Sequence, residues 1–128
     1  MAIRHIEHAT ATSLDEAVAL HGKPDGKRPA FIAGGTDLLG VLKDNIHAGT
    51  PDLLIDIKPI EALRGITADK HGLRIGALTT LADVARHPVV KAKYAALAQA
   101  ARSVGSPQLR NMGTVGGNLC QEPRCWYY

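Results

Sequence analysis

Apolar residues along this chain fall into short runs separated by glycine, proline and charged turns, and each run carries its own period. Residues 3–8 alternate weakly and predict a first strand. Ser13 then stands as an N-cap, with Glu16 three residues on as its capping-box partner. Leu14, Ala17, Val18 and Leu20 supply the apolar face of a short helix that Gly22 ends. Residues 23–28 form a polar turn containing proline and glycine. Pro29-Ala30-Phe31-Ile32-Ala33 predicts a buried strand running straight into Gly34-Gly35. Thr36 is placed to cap a helix over residues 37–45, whose apolar positions are Leu38, Leu39, Val41 and Leu42. Leu53-Leu54-Ile55-Asp56-Ile57 predicts the next strand, broken at Pro59.

Strand, helix, strand, helix, strand is the order of a small α/β lobe, assigned to residues 1–59. A second lobe, residues 60–128, starts with Leu73-Arg74-Ile75-Gly76-Ala77 as a strand. Thr80 caps a helix to about His87, where Pro88 interrupts the pattern. Residues 89–104, rich in alanine and carrying Tyr94, Leu97 and Val104, predict the longest helix, which Gly105-Ser106-Pro107 ends.

Two glycine-threonine loops about eighty residues apart carry the chemistry. They read Ala33-Gly34-Gly35-Thr36-Asp37-Leu38-Leu39 and Gly113-Thr114-Val115-Gly116-Gly117-Asn118-Leu119. Phosphate oxygens need several donors at once, and glycine lets backbone N–H groups approach them through close contacts and positive φ angles. A strand-turn-helix context adds the unpaired N–H groups of a first helical turn. Asp37 opposes this in the first loop and must point away, toward a ribose or water. The alternative is a tight turn with Asp37 complementing the helix dipole. Asn118 has a turn reading as well, and Arg110 is either an added charge for an anion or a solvated side chain. Neither loop is the dinucleotide fingerprint G-x-G-x-x-G or a Walker A loop, since no lysine follows the glycines. Nucleotide hydrolysis is disfavoured. Two loops together point to a ligand with more than one phosphate.

Composition narrows the classes. The 128 residues are 45% hydrophobic and 21% charged, a globular balance, and suit one ordinary domain or two small lobes. Fifteen Lys and Arg against twelve Asp and Glu leave a net charge of +3, too scattered for a nucleic-acid face. No apolar run has the length of a membrane span. Met1-Ala2-Ile3-Arg4-His5 carries no apolar signal core, so a cytoplasmic start is expected. The six histidines (His5, His8, His21, His47, His71, His87) show no metal-ligand spacing, and no catalytic triad is apparent. Of the five aromatic residues, Phe31, Tyr94, Trp126, Tyr127 and Tyr128, three stand directly after Cys125. Such a cluster is a liability in water, so the sequence is expected to be a piece of a longer subunit, the alternative being a tail that packs under the domain. With its second lobe cut short, this piece alone is expected to bind its ligand weakly or not at all and to be marginally stable.

The two loops, their separation and the phrase Leu73-Arg74-Ile75-Gly76-Ala77-Leu78-Thr79-Thr80 resemble the FAD-binding (medium) subunits of molybdenum hydroxylases. This is the xanthine dehydrogenase family. The look is nearest to the FAD subunits of periplasmic aldehyde oxidoreductase and 4-hydroxybenzoyl-CoA reductase. The likeness covers essentially the whole chain, and the stretch from Gln108-Leu109-Arg110-Asn111 through Cys125 is its most specific part. It implies an α+β, two-lobed FAD-binding domain of the vanillyl-alcohol oxidase (PCMH) type, with the second lobe truncated. It implies FAD contacts at Ile32, Ala33, Gly34, Gly35, Thr36, Asp37 and Leu38, and at Thr114, Gly116, Gly117 and Asn118. It implies no catalytic residue, because the work is electron transfer: the protein positions and tunes the flavin. The implied partners are a molybdopterin-binding large subunit and a small [2Fe–2S] subunit in a heterotrimer, with neither nucleic acid nor a membrane span. Export to the periplasm would then require a signal-bearing partner.

Cys120 and Cys125 are the two cysteines, in Cys120-Gln121-Glu122-Pro123-Arg124-Cys125. Family members with an extra [4Fe–4S] cluster in this subunit place their first ligand at the position of Cys125. Such a cluster takes four thiolates, so the remaining ligands would follow Tyr128. Reduced thiols or half a zinc site are the alternatives for the pair. Two other readings of the chain stand beside the relay subunit. One is a stand-alone FAD-dependent oxidoreductase of the same fold, and the other a non-catalytic nucleotide-binding module.

Overall fold

The computed structural model describes residues 5–22, 25–44 and 49–122. Cys125 and the Trp126-Tyr127-Tyr128 cluster lie outside the described residues, as do parts of the expected first strand and of the turn over 23–28. The architecture is α+β. A first half alternates as β1 (Glu7–Thr10), α1 (Leu14–Gly22), β2 (Pro29–Ile32), α2 (Leu38–Asp44) and β3 (Leu53–Asp56). Its three strands form one parallel sheet with β3 between the other two. Glu7 and Pro29 both pair with Leu53, and Thr10 and Ile32 both pair with Asp56. The central strand explains its own composition: Leu54 and Ile55 are buried because the sheet is covered there.

The expected cap of α1 forms, with a change of partner. Ser13 Oγ accepts the Glu16 N–H at 3.1 Å, while the Glu16 carboxylate accepts from the backbone and hydroxyl of Thr12 at 2.7 and 2.8 Å rather than from Ser13. The Thr12 backbone bond, with help from its hydroxyl, holds the Glu16 carboxyl below the usual carboxylate range. A depressed pKa means a contribution present above the ordinary carboxylate value and lost as pH falls through the folded one. NMR titration of the Glu16 carboxyl is expected to show this lowering, and Thr12→Val to raise it by removing the hydroxyl bond. An ordinary titration in the parent would contradict the latch. The apolar face of α1 is narrower than its sequence indicates. Ala17 and Leu20 pack inward, whereas Leu14 and Val18 stand exposed one turn apart.

In the second half β4 (Ile66–Asp69) and β5 (Gly72–Ile75) form an antiparallel hairpin, preceded by a 3₁₀ turn at Glu61–Leu63. Five helices follow: α3 (Leu81–Arg86), α4 (Pro88–Lys93), α5 (Ala95–Ser103), α6 (Pro107–Met112) and α7 (Val115–Cys120). Thr80 caps α3 as expected, its hydroxyl oxygen accepting the Asp83 N–H at 3.1 Å. The single long helix expected over 89–104 is two helices. Tyr94 leaves helical geometry (φ −134°, ψ 49°), its N–H bonded to the Val90 carbonyl, and it packs on the helical core. Pro88 takes the first position of α4, where its missing N–H costs nothing.

Among the described residues, two apolar clusters hold the fold together. Ala11, Ala17, Ile55 and Ile60 form one, with Leu20, Leu53, Ile57 and Leu63 against it. Val84, Val90, Ala98 and Ala101 form the other, with Ile66, Leu73, Ile75 and Val115 among its neighbours. Ile60 and Leu63, just past the third strand, pack on the first cluster. Among the described residues, no helix is long and apolar enough to cross a membrane.

Candidate functional site

The first glycine loop leaves the carboxyl end of β2, at one end of the parallel sheet. There the Ile32 carbonyl accepts the Ile57 N–H at 3.2 Å, which ties the loop's root to the end of β3. Gly35 takes φ +70°, the left-handed geometry that turns the chain back into α2. The helix starts at Leu38, so Asp37 rather than Thr36 holds the N-cap position. Leu39 and Val41 donate to the Gly35 and Asp37 carbonyls, both at 3.1 Å.

The second glycine segment is mostly helix, which corrects its reading as an open loop. Thr114 caps α7, its Oγ1 accepting the Gly117 N–H at 3.2 Å, so Gly116 and Gly117 lie in the first turn and Asn118 follows them. None of the glycines in this segment has positive φ. They serve close approach instead. The Gly116 N–H donates to the Ala77 carbonyl at 2.8 Å, and a Cβ on Gly116 would lie 3.0 Å from that oxygen and from Ala77 Cβ. Val115 N–H donates to the Thr79 carbonyl, Leu81 N–H to the Gly113 carbonyl, and Thr114 pairs with Thr80 in an isolated bridge. Arg110, considered as an added charge for an anion, is engaged elsewhere: its guanidinium donates to the Val104 and Gly105 carbonyls at 2.9 and 3.2 Å.

Both segments border one cavity of about 590 Å³, a volume in the ordinary range for small-molecule sites. Every one of the expected positions lies on it: Ile32, Ala33, Gly34, Gly35, Thr36, Asp37 and Leu38 from one side, Thr114, Gly116, Gly117 and Asn118 from the other. The sequence reading missed an apolar part of the wall, chiefly Phe31, Ile57, Leu81, Val104 and Leu109. Phe31 is also stacked on His21, ring centroids 4.9 Å apart. No local motif marks these residues, because they reach the cavity from five separate places in the chain. Cys120 borders the cavity as a free thiol. Among the described residues no group of three or more His, Cys, Asp or Glu side chains could hold a metal ion.

A family described as the FAD binding domain in molybdopterin dehydrogenase matches residues 4–124. The chain belongs to that family. Among its relatives, the nicotinate dehydrogenase FAD-subunit of Eubacterium barkeri is 41% identical over 117 residues, 91% of this chain and 39% of the relative. The aldehyde oxidoreductase FAD-binding subunit of Escherichia coli K12 is 41% identical over 91% of this chain and 35% of its own length. A solved carbon monoxide dehydrogenase from Hydrogenophaga pseudoflava, a form lacking the Mo-pyranopterin moiety of its cofactor, superposes with a TM-score of 0.85 at 38% identity. That match covers 93% of this chain and 40% of the solved one. The chain thus spans about two-fifths of the length of these relatives. FAD is the cofactor of the family, and the α+β fold is the one its resemblance implied.

Proposed function

We propose that this chain belongs to the FAD-binding subunit of a multi-subunit molybdenum hydroxylase, which relays electrons to an external acceptor. The observation that carries the reading is the convergence of two glycine segments, far apart in sequence, on the lining of one cavity. The partners on this reading are a molybdopterin-binding large subunit and a small [2Fe–2S] subunit, together a heterotrimer. The compartment is the cytoplasm, or the periplasm when a signal-bearing partner carries the complex there.

The donor set fits a pyrophosphate. Gly34 and Gly35 put no side chain between their backbone and the cavity, Thr36 brings a hydroxyl, and Thr114 keeps its hydroxyl hydrogen because its oxygen accepts from Gly117. FAD, when bound, supplies the redox chemistry. The chain's residues bind and orient it: residues 32–38 on one side, Thr114, Gly116, Gly117 and Asn118 on the other, and Ile57, Leu81 and Leu109 exclude water. The division into residues 1–59 and 60–128 is part of this proposal, supported by the parallel sheet of the first half and the antiparallel hairpin of the second, although Ile60 and Leu63 pack back on the first apolar cluster.

The test is the absorbance spectrum of the complete gene product, purified anaerobically with its neighbouring gene products. Bands near roughly 370 and 450 nm, released as FAD on denaturation, are expected. A colourless protein that takes up no added FAD would overturn the reading and leave a small nucleotide-binding module or less. We also propose Cys125 as the first thiolate of a [4Fe–4S] cluster in the complete subunit, with its partners later in the chain. Absence of iron from the separated, anaerobically handled subunit would reject that assignment.

A further inference from the structure

The two walls of the cavity touch each other through bare α-carbons. A Cβ built on Gly34 would overlap the carbonyl oxygen of Met112, and would lie 2.7 Å from its carbonyl carbon and 3.3 Å from Gly113 Cα. From the other side, a Cβ on Gly113 would lie 3.3 Å from Thr36 Oγ1 and 3.0 Å from the Leu109 carbonyl oxygen. Neither residue needs glycine for its own backbone angles. Gly113 has φ −65°, and Gly34 is not among the positive-φ residues. At Gly34 the opposite segment's backbone fills the space a side chain would take, and at Gly113 that space lies between the Leu109 carbonyl of its own helix and the Thr36 hydroxyl across the contact.

The second segment cannot retreat from this contact. Gly113 N–H donates to the Leu109 carbonyl at 2.6 Å, and the Gly113 carbonyl accepts from Leu81 at 3.0 Å. The bridge between Thr114 and Thr80 and the bonds from Val115 and Gly116 pin the residues that follow. On the first side, the Ile32 to Ile57 bond and the start of α2 fix the chain on both flanks of Gly34. Two anchored backbones therefore meet at one crossing.

We propose that Gly34 and Gly113 are positioning residues, whose crossing fixes the separation of the two cofactor-binding segments before any ligand arrives. This rests on the flavin reading above. Whatever the Gly34 N–H does for the cofactor, its missing side chain serves the crossing. Gly35 differs, because its left-handed φ bends its own loop. A preset spacing spares the ligand the cost of ordering two walls, and so raises affinity without adding a contact.

The crossing is tested in the complete gene product within its complex, using Gly34→Ala, Gly113→Ala and the double variant, with FAD affinity followed by flavin fluorescence. Gly34→Ala is expected to weaken FAD at least about tenfold, since its methyl meets the hydrogen-bonded backbone of residues 112–113, and Gly113→Ala to weaken it less, since across the contact its methyl meets only the Thr36 hydroxyl. The double variant is expected to lose no more than about threefold beyond the weaker single, because a crossing already parted accepts the second methyl. Losses that simply multiply would overturn the proposal. A second variant guards against misfolding. Thr36→Cys with Gly113→Cys places two thiols across the contact, where Cβ atoms about 3.5–4.5 Å apart form a disulfide. Oxidation is expected to give a 36–113 cross-link by peptide mass mapping and to tighten FAD binding relative to the reduced form. A parent that binds FAD while this pair stays uncross-linked would also overturn the proposal. A parent complex devoid of FAD would strike the flavin reading instead, and the cross-link would then decide the contact alone.

Discussion

Gly116→Val is expected to strip FAD from the complete gene product while leaving its helices in place. The first turn of α7 lies directly on residue 77, with the Gly116 N–H on the Ala77 carbonyl at 2.8 Å and a Cβ at residue 116 only 3.0 Å from that oxygen and from Ala77 Cβ, too close for the further methyls of a valine. A valine there must push α7 outward, which breaks that bond and moves Gly117 and Asn118 relative to the cavity. Overpacking of this kind costs about 1–3 kcal/mol, and here the displaced atoms are the proposed binding wall itself. Flavin absorbance per protein should fall at least about tenfold, with far-UV circular dichroism unchanged. Full flavin occupancy in the variant would show that α7 does not form part of the site.

The second large effect is one of stability. Gly76 follows β5, and a Cβ there would overlap the Leu63 carbonyl oxygen and come within 2.6 Å of its carbon and 2.8 Å of the Arg64 carbonyl carbon. All of these are main-chain atoms held by their own bonds. The Gly76 N–H donates to the Gly65 carbonyl at 2.9 Å, Leu78 N–H to the Leu63 carbonyl at 2.8 Å, and Thr79 Oγ1 to the Gly65 carbonyl at 3.0 Å. Gly76→Val therefore separates the segment at 63–65, which packs on the first apolar cluster, from the strand that packs on the second. A loss of more than about 3 kcal/mol is expected in urea unfolding. This is a large share of the roughly 5–15 kcal/mol that stabilises a typical domain. A midpoint unchanged from the parent would show that the two clusters are not joined there.

These two glycines also mark where sequence reasoning stops. The parallel half was legible, because a continuous apolar run such as Leu53-Leu54-Ile55 needs cover on both faces and Gly34-Gly35 follows a strand. Caps at Ser13 and Thr80 were legible for the same local reason. By contrast, α7 was hidden, since two glycines in its first turn argue against a helix. Its start is set by Thr114 and by bonds to residues 77 and 79, far away in sequence. β4 was hidden as well. Thr67, Ala68 and Asp69 are exposed, so no burial pattern announces the strand, and pairing with β5 defines it. The break at Tyr94 interrupts an alanine-rich run where a partly buried ring packs against the second apolar cluster. The glycine loops themselves were readable as a motif, whereas the apolar wall from Phe31, Ile57, Leu81, Val104 and Leu109 exists only after folding.

The strand order has a bearing on how the protein is made. β1 and β2 do not pair with each other, and both take their register from Leu53–Asp56, the last of the three to be synthesised. Parallel pairing of this kind closes a long loop before any contact rewards it. The nascent chain must therefore carry β1, α1, β2 and the first glycine loop unpaired until β3 leaves the ribosome. Only when the end of α6 has emerged as well can Gly34 meet its counterpart at Gly113. On the proposed site, cofactor capture is thus a late event in biosynthesis, and a pause in translation before residue 53 would expose two unpaired strands to aggregation.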